Sequence, residues 1–223
     1  MDVIILIPVL ALSFVVHEFA HAWQAAREGD DTPVRDGRVT LNPLKHLDLF
    51  GSFLIPAVLF QSSGLLFGWA RPVMVNASNY RDEFWGDIRV SLAGVVANAI
   101  TAVVVTVLMA VVAWLGAATE AEGAFSAILD LAYATLSYAL ILNLVLVVFN
   151  LIPIPPLDGS HVVARVLPAQ WAARYRSLGG YGLLGLIGAL YLGRFVGIDL
   201  FPVLLWPVTF LRDLADMFVR LWI

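Results

Sequence analysis

Cysteine is absent from the 223 residues, so neither a disulfide framework nor a thiolate metal site is available. Charge is scarce as well. Asp, Glu, Lys and Arg together make up 13% of the chain, about half the share of a soluble domain. Basic residues are the rarer sign, 13 against 17 acids, for a formal net charge of −4. That balance cannot build the basic surface that a nucleic-acid partner requires. Internal repeats, low-complexity tracts and a soluble appendage are also missing.

Apolar residues fill the space: 61% of the chain is hydrophobic and the mean hydropathy is +0.87. They fall in runs too long for a soluble core, which excludes a soluble enzyme and a disordered chain and implies a multi-pass protein of the lipid bilayer. A transmembrane helix needs about 20 mostly apolar residues. Residues 3–26, 49–70, 90–116 and 131–157 each supply such a run. Residues 177–193 are shorter and rich in glycine, which suits close helix packing in lipid. Residues 200–211 are apolar but short, and Arg212, Asp213, Asp216 and Arg220 make the tail amphipathic. The expectation is an all-α integral membrane protein of five to six membrane segments. The first segment lacks a basic flank and carries two histidines and a glutamate, so it is expected to be a retained helix and not a cleaved signal.

Basic residues orient such a chain. Arg27, Arg35, Arg38 and Lys45 lie in the 27–48 connection, Arg71, Arg81 and Arg89 in 71–89, and Arg165, Arg174 and Arg176 in 158–176. The 117–125 connection has Glu120 and Glu122 and no base. The first three connections are therefore expected to face the cytoplasm and the last to face out. Residues 49–70 would then begin and end on the same side. A re-entrant segment broken near Pro56 resolves the parity, because irregular backbone is tolerated where protein buries it; a true span with weak charge control is the rival.

His17-Glu18-Phe19-Ala20-His21 reads H-E-x-x-H. On a helix the two histidines lie one turn apart on one face, so both imidazoles reach one ion, and Glu18 sits about 100° round, within touch of a water on that ion. Three ionisable groups in one membrane helix are costly without a partner. Catalytic zinc takes three protein ligands and leaves a position for water. Asp158, His161, His46 and Asp48 are candidates for the third. Asp158 follows Pro153, Pro155 and Pro156, which prevent a regular helix. It is favoured, on a stretch expected to be extended and able to aim the carboxylate sideways. His46 and His161 read more simply as interfacial histidines. Asn143 and Asn150 are seven apart on one helical stripe, and Asn143 reads as an interhelical hydrogen-bonding residue.

With H-E-x-x-H in the first segment and Asn150-Leu151-Ile152-Pro153-Ile154-Pro155-Pro156-Leu157-Asp158-Gly159 far downstream, the chain resembles the site-2 protease family of intramembrane zinc metalloproteases. Residues 41–48 and 67–73 resemble a compact prokaryotic branch without PDZ or CBS domains. The resemblance implies a single transmembrane metalloprotease domain over residues 1–223, with one zinc ion ligated by His17, His21 and Asp158. It also implies Glu18 as general base, Asn150 as a helper near the scissile carbonyl, and a transmembrane protein as substrate in regulated intramembrane proteolysis. Where the family carries A-G-P-x-x-N, this chain has Val95 in place of the proline, in Ala93-Gly94-Val95-Val96-Ala97-Asn98. An unwound substrate needs partners for its freed backbone groups, and residues 67–75 are expected to supply a short β-strand edge for them. The active site is expected nearer the cytoplasmic face of the cell membrane. The alternatives are a non-catalytic membrane scaffold and a metal transporter; the latter needs polar residues along several helices on both sides of the site.

Overall fold

A computed structural model describes residues 2–63, 68–119 and 122–222, and all regular structure among these residues is helical. Phe67, at the head of the expected strand, and Glu120 lie outside the described residues. In chain order the elements are α1 (Asp2–Glu28), α2 (Thr32–Arg35), α3 (Pro43–His46), a π-helical turn (Phe50–Leu54) running directly into α4 (Ile55–Ser63), and a 3-10 turn (Ala77–Asn79). These are followed by α5 (Glu83–Thr119), α6 (Gly123–Asn150), α7 (Gly159–Val166), α8 (Ala169–Arg176), α9 (Gly179–Phe195) and α10 (Phe201–Arg220).

Three helices, α1, α5 and α6, are long and apolar enough to cross a membrane; α8 and α9 qualify only as a pair bent by 65°. The described helices thus supply three candidate spans, or four with the bent pair, where five to six membrane segments were expected, 49–70 being re-entrant or a span among them. Length and charge explain the difference. With the π turn that leads into it, the described helix at α4 covers residues 50–63, about 20 Å and short of a hydrocarbon layer of about 30 Å. The second half of α10 carries the four charges of the amphipathic tail. The expected strand edge is also not seen: residues 68–76 are irregular backbone.

The core is a three-helix arrangement. Asp82 opens α5 by accepting the Trp85 amide at 3.0 Å, which satisfies one of the first-turn N–H groups. The helix then runs up, and α6 returns antiparallel beside it. Ala102, Val105, Met109, Leu140 and Leu144 fill the space between them, closed on one side by Val208 and Val219 of α10. Against α6, α1 packs Leu6, Val9, Leu10 and Phe14 around Leu142. The bidentate pair of Arg89 on Glu28, at 2.7 and 2.8 Å, ties the C-terminal end of α1 to the N-terminal end of α5.

Around Pro56 the chain does not break. Proline has no N–H to donate, and the helix adapts by a π turn in which the Ile55 amide bonds to Phe50 O five residues back. The two ends of the 49–70 stretch then meet: the Trp69 amide donates to Gly51 O and Ser52 Oγ donates to Trp69 O, both at 2.9 Å. Gly68 permits this closure, since a Cβ there would lie 2.5 Å from Gly51 O.

Two local expectations need correcting. Residues 151–158 are not extended but a run of tight turns, in which the Ile154, Leu157 and Ser160 amides bond back two or three residues. Proline at φ near −65° suits a turn as well as an extended chain. In α9, Gly180, Gly185 and Gly188 face open space, and Gly182 alone approaches the proline-rich turns, at Pro155 O.

Beyond α1, the fully buried Asp30 organises the connections. Its carboxylate accepts from the Thr32 amide and hydroxyl, the Asn76 amide and the Asn79 side chain at 2.6–3.1 Å. Burial alone would push the Asp30 carboxyl up, but these donors hold it below the usual carboxylate range. A depressed folded-state pKa stabilises the fold above the unfolded-state value near 4 and loses that contribution as pH falls through the folded-state value. Asp30→Ala is expected to cost about 1–3 kcal/mol at neutral pH and to flatten the acid limb of stability. An unchanged acid limb in thermal melts from pH 7 downward would contradict this.

Candidate metal centre

One face of α1 repeats every four residues: Ser13, His17 and His21. The facing stripe of the antiparallel α5 has the same spacing: Asn98, Gly94 and Val90. Residues four apart on a helix lie above one another, so the two stripes meet rung by rung. His17 Nδ1 lies 2.5 Å from Asn98 Oδ1 and His21 Nδ1 lies 2.7 Å from the Val90 carbonyl. Between those rungs, Gly94 makes room for the rings. A Cβ on Gly94 would sit 2.5 Å from His17 Cε1 and 2.6 Å from His21 Nε2.

The third member arrives from α7. Asp158 occupies the N-cap of that helix, where an aspartate ordinarily accepts a first-turn amide, yet its side chain makes no such bond. Instead Oδ2 sits 3.2 Å from His17 Nε2 and 3.4 Å from His21 Nε2, and the two Nε2 atoms are 3.1 Å apart. His17, His21 and Asp158 are the one group of this kind among the described residues that could hold a metal ion.

The protons decide what this triangle can do. A backbone carbonyl only accepts, so His21 donates Nδ1–H to Val90 O, and in the neutral ring the lone pair left on Nε2 faces inward. Asp158 Oδ2 is buried and has no hydrogen-bond partner, an arrangement that costs several kcal/mol unless a cation answers it. Two imidazole nitrogens and a carboxylate oxygen, crowded lone pair to lone pair, fit a divalent ion of the zinc type.

Glu18 stands beside the triangle. Its Oε2 accepts the Val73 amide at 3.0 Å, so the irregular 68–76 segment holds the carboxylate. Arg38 braces that segment from behind, donating to the Lys45, Arg71 and Pro72 carbonyls. Burial and the Arg71 charge draw the Arg38 pKa down from its usual value while Glu18 and Asp36 oppose that shift. The remaining third-ligand candidates lie elsewhere. His46 is fully buried, with Nε2 2.7 Å from Thr40 O. Asp48 caps the amides of Phe50 and Gly51. His161 is half-exposed and 3.7 Å from Asp87, which together with Glu83 binds Arg165 and so clamps α7 to α5. Asn150 ends α6 with its amide nitrogen on Leu146 O, one turn back.

Sequence reasoning passed over Gly94, Asn98 and Arg38 as parts of the site. The matching four-residue spacing of 90, 94 and 98 was a usable signal for the first two, whereas nothing local marks Arg38.

A model of peptidase family M50 matches residues 5–178. The chain is 38% identical to "Putative zinc metalloprotease YwhC" of Bacillus subtilis over 203 residues, covering 91% of this chain and 84% of the relative. It is 31% identical to "Putative zinc metalloprotease Rip2" of Mycolicibacterium smegmatis over 156 residues, 66% of this chain and 51% of the relative. No solved structure matches it significantly.

Gly94→Ala is expected to push both imidazoles out of register at about 1–3 kcal/mol of overpacking and to leave the purified protein depleted of metal with its helix content intact. Full metal content in that variant would show that the rings are not confined by α5.

Proposed function

The chain belongs to peptidase family M50, and from that membership we propose that His17, His21 and Asp158 hold one zinc ion and that Glu18 is the general base of peptide hydrolysis. The protein is a zinc metalloprotease of the site-2 type and a multi-pass membrane protein. The observation that carries the site assignment is the convergence of buried Asp158 Oδ2 on both Nε2 atoms, at 3.2 and 3.4 Å.

Zinc bound there supplies Lewis acidity, lowering the pKa of water toward about 7 and polarising the scissile carbonyl. The chain's own groups do the rest. Glu18 projects about 100° round the helix from His17, so its carboxylate lies beside the ligand set and is free to take a proton from water. It then returns that proton to the leaving amine. The Val73 amide holds the carboxylate in place meanwhile. Asn150 serves near the scissile carbonyl by turning its amide away from Leu146. The 68–76 segment, irregular and next to Glu18, accepts backbone groups of a locally unwound substrate.

The ends of α1, α5 and α6 nearest the site share one side with Arg27, Arg89 and Arg165, which assigns that side to the cytoplasm. The hydrogen bond between the Trp69 amide and Gly51 O supports a re-entrant reading in which residue 49 and residue 70 lie on one side of the membrane. His21 lies six residues from Arg27, about 10 Å along the helix, so the site is inside the hydrocarbon but nearer the cytoplasm. The substrate is a transmembrane segment of another protein, and release of its cytoplasmic part is the step that regulated intramembrane proteolysis requires.

Glu18→Gln is expected to lower cleavage of a model transmembrane peptide at least about 100-fold with zinc still near one ion per chain. Asp158→Ala loses the ion, and His46→Ala and His161→Ala keep it. Zinc loss in Glu18→Gln, or retention in Asp158→Ala, would reverse the roles. Mass spectrometry of the products is expected to map the cut to the cytoplasmic half of the substrate, and a cut in the outer half contradicts the orientation.

A further inference from the structure

Deep between α1, α5 and α6, on the side of His17 away from Asp158, lies a chain of side-chain amides and one hydroxyl. Asn98 and Asn143 are 0% and 1% exposed and Ser13 is 3% exposed. An amide can be turned either way in its site without changing shape, but here the backbone carbonyls at the edges leave only one direction. Ser13 Oγ lies 2.9 Å from Val9 O, which can only accept, so the single hydroxyl proton is spent there. At its other contact, 3.0 Å from Asn143, Ser13 must accept, which makes that atom Asn143 Nδ2. The second proton of Nδ2 goes to Ala139 O at 2.8 Å.

Asn143 Oδ1 is then left facing Asn98 at 2.7 Å, and the atom it meets must be a donor, Asn98 Nδ2. The remaining proton of Asn98 Nδ2 points to Ser13 O at 3.3 Å. Both Asn98 donors are thus used, and its Oδ1 can do nothing at 2.5 Å from His17 Nδ1 except accept. The neutral His17 ring therefore carries its proton on Nδ1 and presents a bare Nε2 to Asp158 and His21.

We propose that the Ser13–Asn143–Asn98 chain is a positioning device that places the proton of His17, three links removed from the site, so that Nε2 is ready as a zinc ligand before any zinc arrives. The proposal rests on the zinc assignment above. His21 needs no such chain because Val90 O fixes it directly. The two ligands of one motif are set by different means, a single carbonyl for one and a buried relay for the other. Without Asn143, Asn98 keeps only the long 3.3 Å contact to Ser13 O to orient it and can turn its NH2 toward His17. The ring then adopts the other tautomer, with N–H aimed at the ion.

The test uses full-length protein labelled with 15N at histidine, in which only four imidazoles need assigning. In zinc-free wild type with its imidazoles neutral, His17 is expected to show a protonated Nδ1 and an unprotonated Nε2. In Asn143→Ala the His17 signals become a mixture of tautomers, those of His21 stay put, and zinc affinity, measured by competition with a chelator, falls about tenfold. A wild-type His17 protonated on Nε2 would overturn the proposal without need of any variant. So would an Asn143→Ala protein with unchanged His17 signals and unchanged affinity. Wild type that takes up no zinc while His17 keeps its Nδ1 proton would instead overturn the zinc assignment and bear out the proton placement.

Discussion

Two imidazoles and a carboxylate meet lone pair to lone pair among apolar helices, and nearly every other feature of the chain serves that meeting. With both imidazoles neutral such a triangle is repulsive unless a cation fills it, and a bare cation at that depth is equally unfavourable without ligands. The fold accordingly treats the triangle as a fixed frame. Asn98 and Val90 hold the far sides of the rings, Gly94 yields the space they occupy, and α7 is clamped to α5 through Arg165 and Asp87 at 2.5 Å so that Asp158 reaches them.

The same logic extends outward through the connections. Glu18 belongs to a rigid helix, but the group that orients it, the Val73 amide, belongs to an irregular segment. That segment is in turn fastened to α1 and the 27–48 connection by Asp30 and Arg38. In the proposed mechanism, a carboxylate held by a helix on one side and by the irregular 68–76 segment on the other couples the position of the base to that segment. Preorganisation of this kind is where proteases gain rate, since the hydrogen bonds are in place before the reaction needs them.

Much of this was legible in the sequence because it is periodic. The 3.6-residue repeat places His17 and His21 on one face, and long apolar runs mark α1, α5 and α6. Prolines before an acidic residue signal that a side chain leaves the helical lattice, and Asp158 does. Features that depend on two segments at once were harder. The partnership of Asn98 with His17 spans 81 residues, and no single-segment pattern announces it. The tight turns at 151–158 and the π turn at Pro56 arose because proline constrains φ without choosing among turn, bend and extended backbone. Among the described helices α1, α5 and α6 have the length and composition of a span, whereas α4 is short where it is described and α10 is charged in its second half.

The central claim is that one zinc ion sits in a frame of two imidazole nitrogens and one carboxylate oxygen. X-ray absorption at the zinc edge of the loaded, detergent-solubilised protein tests it most directly. The expected spectrum is a four-coordinate site with two imidazole nitrogens at about 2.0–2.1 Å and oxygen ligands at about 2.0–2.2 Å. A site with one imidazole, or an all-oxygen octahedral shell, would contradict the assignment.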